Sequence, residues 1–505
     1  MSNWSRAATV ATVAAAVGGW SLAALAPRDF ILGTFQDDAQ YAVLAKAIRE
    51  QHTYRNLNFP GHPPELKFAP GWPAILALAW RPGASDTANL ERLRGVNLAV
   101  AGALAGVVAA AGVVAFAVPP ALSAVAALAA VATPSVMMWW TIPMSEPLCL
   151  ALLALALLLA ASGRERGAVI VAAAAVYVRS IAAPFLVALV AAAWWKRGWR
   201  AAVRPAAIAA ALMAPWVVWI LVHRADVPPV LAHAGYGSYA AFYGQGLAVA
   251  PRTMLLTVPA VNAPMVAQAL GQALLGWHWA PRLVEIAVGL GIAGLVAAGT
   301  RSRPALAVAL VLYLGVVLFW PFPQEDRFVG SVWPLLLLAA LAALPGPRTR
   351  VPLVAVAALA AGVAFARGEG VRLHRQRSRG TVALLDSVRT HIPAGAVVAT
   401  ANPPLVYLRL GTPTVVSWRE RSYRWYREGF WATAWGLGDD LWDVVRAYHP
   451  DYLIVERRGA EGRYAAGSLI RQCPGVLTPV WSTAAGEYLF QVHGSAPCAP
   501  TRTER

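Results

Sequence analysis

Two adjacent aspartates, Asp37 and Asp38, share one polar, proline-rich stretch (Phe35 to Trp72) with Tyr41, His62 and Lys67. A carboxylate can take the proton of a hydroxyl as that oxygen attacks. Cations can balance the charge of a departing phosphate, and Lys67, Arg179 and Arg327 are the candidates. Tyr41 and His62 are further candidates for substrate contact. Each charged residue also has a purely structural alternative. Asp38 can cap a helix that starts near Ala39. Arg179 can pair with a carboxylate between helices or extend outward, and Arg327 can neutralise Glu325 and Asp326. The stretch is about forty residues long, whereas most connections are about 4–6. Paired carboxylates beside lipid are costly to keep unless used. The stretch therefore reads as an active site.

The elements that must position it are membrane helices. The 505-residue chain is 58% hydrophobic and 13% charged, with a mean hydropathy of +0.54, whereas a soluble chain carries about a quarter charged residues. The net charge of +17 does not point to nucleic acid, because many arginines lie in short turns between apolar runs, as the positive-inside rule requires. An apolar run from about Ala7 to Ala26 is long enough to span and reads as an uncleaved first helix. Gly71 to Trp80 is too short to cross. Ser145-Glu146-Pro147 opens a later helix, with Glu146 at its positive end.

Four basic turns set the orientation: Arg164/Arg166, Lys196/Arg197/Arg200/Arg204, Arg301/Arg303 and Arg348/Arg350. All four fall on the side of the N-terminus if the segment 167–195 breaks near Arg179, which gives about eleven spans. The first loop (about 27–93), the segment from His223 to about Arg282 and the tail then lie on the opposite side. Within that segment, Tyr236, Tyr239 and Tyr243 read as an interfacial aromatic belt rather than a sugar platform. Residues 1–366 form the expected membrane domain, and 367–505 an extracytoplasmic α/β domain of alternating helices and strands. The tail has no glycine-rich phosphate fingerprint. Cys149 reads as a small apolar residue of a membrane helix. Cys473 and Cys498 fall in the outer tail, where an oxidising compartment allows a disulfide between them. No cysteine–histidine spacing resembles a zinc site.

Several short segments, in this order, resemble the GT-C membrane glycosyltransferases, especially the protein O-mannosyltransferase and aminoarabinose-transferase branch. They are Asp37-Asp-Ala-Gln-Tyr41, Phe68-Ala-Pro-Gly-Trp-Pro73, Met144-Ser-Glu-Pro-Leu148, Ala214-Pro-Trp216 and Arg327-Phe-Val-Gly-Ser-Val-Trp-Pro334. The resemblance implies a polytopic α-helical membrane protein that moves a sugar from a polyprenyl-phosphate donor to a hydroxyl on a protein, lipid or envelope glycan. It further implies an outward-facing site in a bacterial inner membrane, with no metal or other cofactor. By motif position Asp37 is the base and Arg327 holds the lipid phosphate. The second acid of the pair is often glutamate in that family, which leaves the role of Asp38 open. The competing classes are a transporter or lipid flippase, and a non-catalytic subunit of envelope assembly. Transporters show internal repeats and charges deep in several spans. Here no repeat is visible, and the acids concentrate in one outer loop.

Overall fold

The computed structural model describes residues 5–26, 30–276, 280–321, 325–368, 371–417, 426, 440–456 and 460–494. In lipid every backbone polar group must be satisfied within the chain, so long apolar runs become helices. Among the described residues six helices have the length and composition of a full span: Arg6–Leu25, Asp86–Val114, Trp199–His223, Thr253–Leu275, Arg282–Thr300 and Gly346–Arg367. Four more are apolar but shorter: Pro120–Val131, Glu146–Ala161, Pro304–Leu318 and Trp333–Ala343. Length and composition thus support six spans, against the expected eleven or so. The shorter helices fall below the roughly 20 residues that a straight crossing requires.

Small residues let these helices approach closely. Ala8, Ala11, Ala15, Gly19 and Ala23 form the buried stripe of the first helix, and a Cβ on Gly19 would strike the side chain of Ala105 and the carbonyl of Ala101. This is the small-residue packing that replaces the hydrophobic effect inside a bilayer. The segment from His223 to Arg282, expected to be an outer loop, is different. It contains the apolar helix Thr253–Leu275, whose Gly271 lies against the backbone of Glu285. Gln268 and Gln272 donate to the Glu285 carboxylate at 2.8 and 2.9 Å. Polar residues and prolines in this helix weaken its hydropathy signal, and packing against its neighbour compensates.

The basic turns gather at one end of the bundle. Arg303 donates to the Ala115 carbonyl at 2.7 Å, and Arg350 to that of Ala117 at 3.0 Å. Arg197 pairs with Glu165. Helix Glu146–Ala161 begins where Arg94 reaches the Thr141 carbonyl at 2.7 Å. It then runs along Asp86–Val114 in the same direction, so its far end and the turn at 164–166 lie toward the Ala115 level. The break near Arg179 is present: helix Glu165–Val178 stops, Arg179 is extended (φ −157°), and Ala183–Arg197 restarts with Pro184 in its first turn. Proline is tolerated there because that N–H has no helical acceptor.

Beyond the bundle, strands β1 (Val398–Thr400), β2 (Thr414–Val416), β3 (Tyr452–Val455), β4 (Leu477–Ser482) and β5 (Tyr488–Val492) form one sheet of order β2-β1-β3-β5-β4. β1 is parallel to both β2 and β3, while β5 is antiparallel to β3 and β4. The mixed sheet agrees with the alternation read from the sequence. Helices Pro403–Leu410, 440–448 and Ala460–Gln472 connect the strands. Cys473 is buried and disulfide-bonded, Cys498 lies outside the described residues, and Cys149 is free and buried.

The sheet's β2 side holds the first loop in place. Thr414 N–H donates to the Asn58 carbonyl at 2.7 Å, and Asn402 Nδ2 donates to that of Gly33 at 2.8 Å. Gly33 has φ +94°, and a Cβ there would lie 2.6 Å from Leu405 Cβ. Left-handed backbone and a clash with the Leu405 side chain coincide at this residue. Gly33→Ala is expected to cost about 2–4 kcal/mol, read as a lower thermal midpoint of the full-length protein. A variant that melts with the parent would show that this contact does not hold the loop.

Candidate active site

The two aspartates part company through local geometry. Asp38 is 0% exposed and accepts from the Gly33 N–H at 2.6 Å and the Phe35 N–H at 3.0 Å. It therefore fastens the turn that precedes helix Asp37–Gln51. Gln36 sits in that turn at φ 64°, ψ −52°, with the Asp37 N–H reaching back to the Phe35 carbonyl at 2.7 Å. This is a γ-turn, a strained conformation costing about 1–3 kcal/mol. It directs Asp37 away from Asp38 and toward the bundle.

Asp37 enters a line of buried charges. Its Oδ2 lies 2.6 Å from an Arg327 terminal nitrogen, and Arg327 Nε lies 2.5 Å from Glu146 Oε1. The same Glu146 oxygen is 2.6 Å from Arg179. Arg179 also donates to Ser145 Oγ at 3.3 Å, and Ser145 is bonded to Tyr41 Oη at 2.9 Å. Glu146 is 0% exposed, so its two arginines are what make its burial tolerable.

Burial pushes the Asp37 carboxyl up, but Arg327, Lys67 and Arg179 outweigh it and hold the group below the ordinary aspartate value. Burial raises Asp38 to about 6, against the lowering effect of the Gly33 and Phe35 amides. Neighbouring acids driven apart in this way separate an ionised group from one that protonates readily.

Asp37, Lys67, Arg179 and Arg327 open on one cavity of about 260 Å³. Gln36, Gln40, Phe35 and Phe68 form the first-loop wall, and Ser180, Ile181 and Pro184 come from the break at Arg179. Tyr236, Tyr239, Tyr243, Trp320 and Phe328 supply an aromatic side, and Ala401 and Val416 reach in from the sheet. Trp320 meets Tyr239, Tyr243 and Phe328 at ring separations of 5.6, 5.8 and 5.5 Å. Glu65, itself buried, accepts the N–H groups of Lys67 and Phe68 at 2.6 and 2.9 Å. Lys67 Nζ lies 5.3 Å from the Phe68 ring centre and 6.0 Å from that of Tyr239, within cation–π range.

Several expectations are corrected by this arrangement. His62 is exposed at φ 45° on the tip of the first loop and does not line the cavity. Asp38 is spent on the Gly33 and Phe35 amides and does not line it either. Tyr41 lies beneath the floor, joined to it through Ser145. Asp37, expected as the base, and Arg327, expected at the lipid phosphate, form a direct ion pair, because a largely buried arginine beside two carboxylates is best neutralised by both. Tyr236, Tyr239 and Tyr243 form a cavity wall rather than an interfacial belt. Glu146 was read only as a helix-start acid, although a carboxylate at the end of an apolar helix is itself a signal of a charged partner. Gln36, Gln40 and Trp320 carried no such signal.

No protein-family model and no curated protein matches the sequence. Solved structures do match in shape. ArnT from Cupriavidus metallidurans bound to undecaprenyl phosphate aligns over 98% of this chain and 99% of its own, with TM-score 0.53 and 12% identity. The Archaeoglobus fulgidus oligosaccharyltransferase AglB, in complex with an inhibitory peptide and a dolichol-phosphate, aligns over 97% of this chain and 75% of its own, with TM-score 0.52 and 11% identity. ArnT and AglB are both GT-C glycosyltransferases. Nearly the whole of this chain, bundle and sheet together, has the fold of the GT-C membrane glycosyltransferases.

Proposed function

We propose that the protein is an integral-membrane glycosyltransferase that moves a sugar from a polyprenyl-phosphate donor to a hydroxyl acceptor, with Asp37 as general base. The observation that carries this reading is the convergence of one carboxylate and three cations on a single cavity with an aromatic wall. The acceptor hydroxyl loses its proton to Asp37 as its oxygen attacks the anomeric carbon. The bond from that carbon to the phosphate oxygen breaks, and the electron pair leaves on the phosphate, where Arg327, Arg179 and Lys67 balance it. A donor phosphate that draws Arg327 toward itself takes from Asp37 its main stabilising charge and makes the carboxylate a stronger base. The undecaprenyl and dolichol phosphates of the ArnT and AglB structures support a lipid-phosphate donor. The test is transfer of labelled sugar from a polyprenyl-phosphate sugar by membranes that contain the protein. Movement of donor between leaflets with no new glycosidic bond would favour a transporter instead.

The reading places the basic turns inside, and the cavity and the sheet outside, in a membrane crossed about eleven times. Clustering of Arg303 and Arg350 with the turn at Ala115–Ala117 supports it. Reporter fusions after Arg166 and Arg303 should read inside and a fusion after Arg367 outside. An inside signal at the last site sinks the placement of the sheet.

The base also sets a pH profile. Because Asp37 is held low by cations, the acid limb of kcat/KM should lie below the ordinary aspartate value of about 3.9. In Arg327→Gln the largest lowering influence is gone while burial remains, so the limb should move up. A limb that stays in place would mean that another group is titrating.

A further inference from the structure

Lys67 reaches the cavity from irregular backbone between helices Asp37–Gln51 and Gly71–Ala79, so no regular element fixes its direction. Glu65 does. Its carboxyl is 0% exposed and does not line the cavity. One oxygen, Oε1, accepts the N–H groups of both Lys67 and Phe68, at 2.6 and 2.9 Å. The backbone of Glu65 is held as well. Its N–H donates to the Tyr54 carbonyl at 3.2 Å, and its carbonyl accepts from Trp219 Nε1 at 2.9 Å. Tyr54 Oη donates in turn to the Phe68 carbonyl at 2.7 Å. The turn 65–68 is thereby fastened to helix Trp199–His223, with Lys67 and Phe68 on the cavity wall.

A neutral serine or asparagine can cap a turn in this way, whereas burying a carboxylate is costly. Burial raises the Glu65 carboxyl to about 6, against the pull of the Phe68 and Lys67 amides and of the Lys67 charge. The first loop uses the same device twice. Asp38 accepts the Gly33 and Phe35 amides beside Asp37, and Glu65 accepts the Lys67 and Phe68 amides. In each case a buried carboxylate fixes the backbone that sends a neighbouring charge into the cavity.

Resting on the donor reading above, we propose that Glu65 is a positioning residue for the donor's phosphate. By accepting the Lys67 and Phe68 N–H groups it sets the turn that presents the Lys67 ammonium to the phosphate of the lipid.

The experiment titrates the purified full-length protein with a short-chain polyprenyl phosphate that carries no sugar. In parallel, the rate at which acetic anhydride acetylates Lys67 is read by peptide mass against the exposed Lys196. Glu65→Met removes the acceptor at similar volume. It should weaken the lipid about tenfold and speed acetylation of Lys67 severalfold. Glu65→Gln keeps an oxygen that can accept both N–H groups, and should bind within about threefold of the parent. Tyr54→Phe loses only the bond to Phe68 and should fall between the two. In a Lys67→Met background neither Glu65→Met nor Tyr54→Phe should cost further affinity. If Glu65→Met does not fold, Tyr54→Phe carries the same comparison. A further loss in the Lys67→Met background overturns the inference, because the turn would then act through something other than Lys67. So does a Glu65→Gln variant as weak as Glu65→Met, or unchanged acetylation of Lys67 in Glu65→Met, in a parent that binds the lipid. A parent that does not bind the sugar-free lipid overturns the donor reading, and this inference with it.

Discussion

Asp37→Asn is expected to lower the rate of sugar transfer by about 10²–10⁴-fold, the usual worth of a general base, while donor binding is kept or strengthened. The substitution is nearly isosteric and removes one of the two carboxylates that engage Arg327. Arg327 then has more charge to offer a phosphate, so a lost rate cannot be blamed on a lost donor. Turnover and donor-binding assays on the same preparation separate the two effects. Asp38→Asn is the matched control. It replaces a carboxylate that receives two backbone N–H groups with an amide that can receive one of them well. That should cost about 1–3 kcal/mol of stability and leave the folded fraction active. Parental transfer by Asp37→Asn, together with a dead but folded Asp38→Asn, would move the base to Asp38.

Glu146→Gln should have the largest effect on stability. Glu146 is wholly buried, and Arg179 and Arg327 both pair with it. Removing one partner of a buried ion pair costs about 3–5 kcal/mol, because the remaining charge stays desolvated. Arg327 would keep Asp37, but Arg179 would be left with Ser145. Thermal unfolding in detergent should show a clear fall in the midpoint. Adding Arg179→Met to Glu146→Gln removes the stranded charge and should recover part of that loss, a coupling that a double-mutant cycle measures. A single variant that melts with the parent, or a double variant that melts at the sum of both losses, would show that the pair is not what holds this end of the bundle.

Where these residues could be recognised beforehand depended on the range of the signal. Short-range features were legible. Asp37-Asp38 stood out as acids beside an apolar run, and the break at Arg179 followed from the side on which the arginines of nearby turns had to lie. Helix Pro403–Leu410 was bounded by its own proline and glycine. These depend on a few neighbouring residues, as caps, breaks and hydropathy do. The span count was less accessible, since helices of 10–17 residues satisfy the apolar pattern without reaching across a bilayer by themselves. Helix Thr253–Leu275 was not legible because its polar residues are matched only by a neighbouring helix, through Glu285.

The chain alone determined that acids and cations of the right kinds exist. Only the tertiary structure decided which of them meet. Asp37 and Arg327 are 290 residues apart, Glu146 and Arg327 are 181 apart, and no local rule pairs residues at such distances. Burial makes an unpaired charge expensive, so the fold that buries Glu146 is also the fold that brings two arginines to it. The same packing turned Asp38 inward to the Gly33 and Phe35 amides and Asp37 outward to the cavity. Adjacent residues of one type thereby received different chemistry.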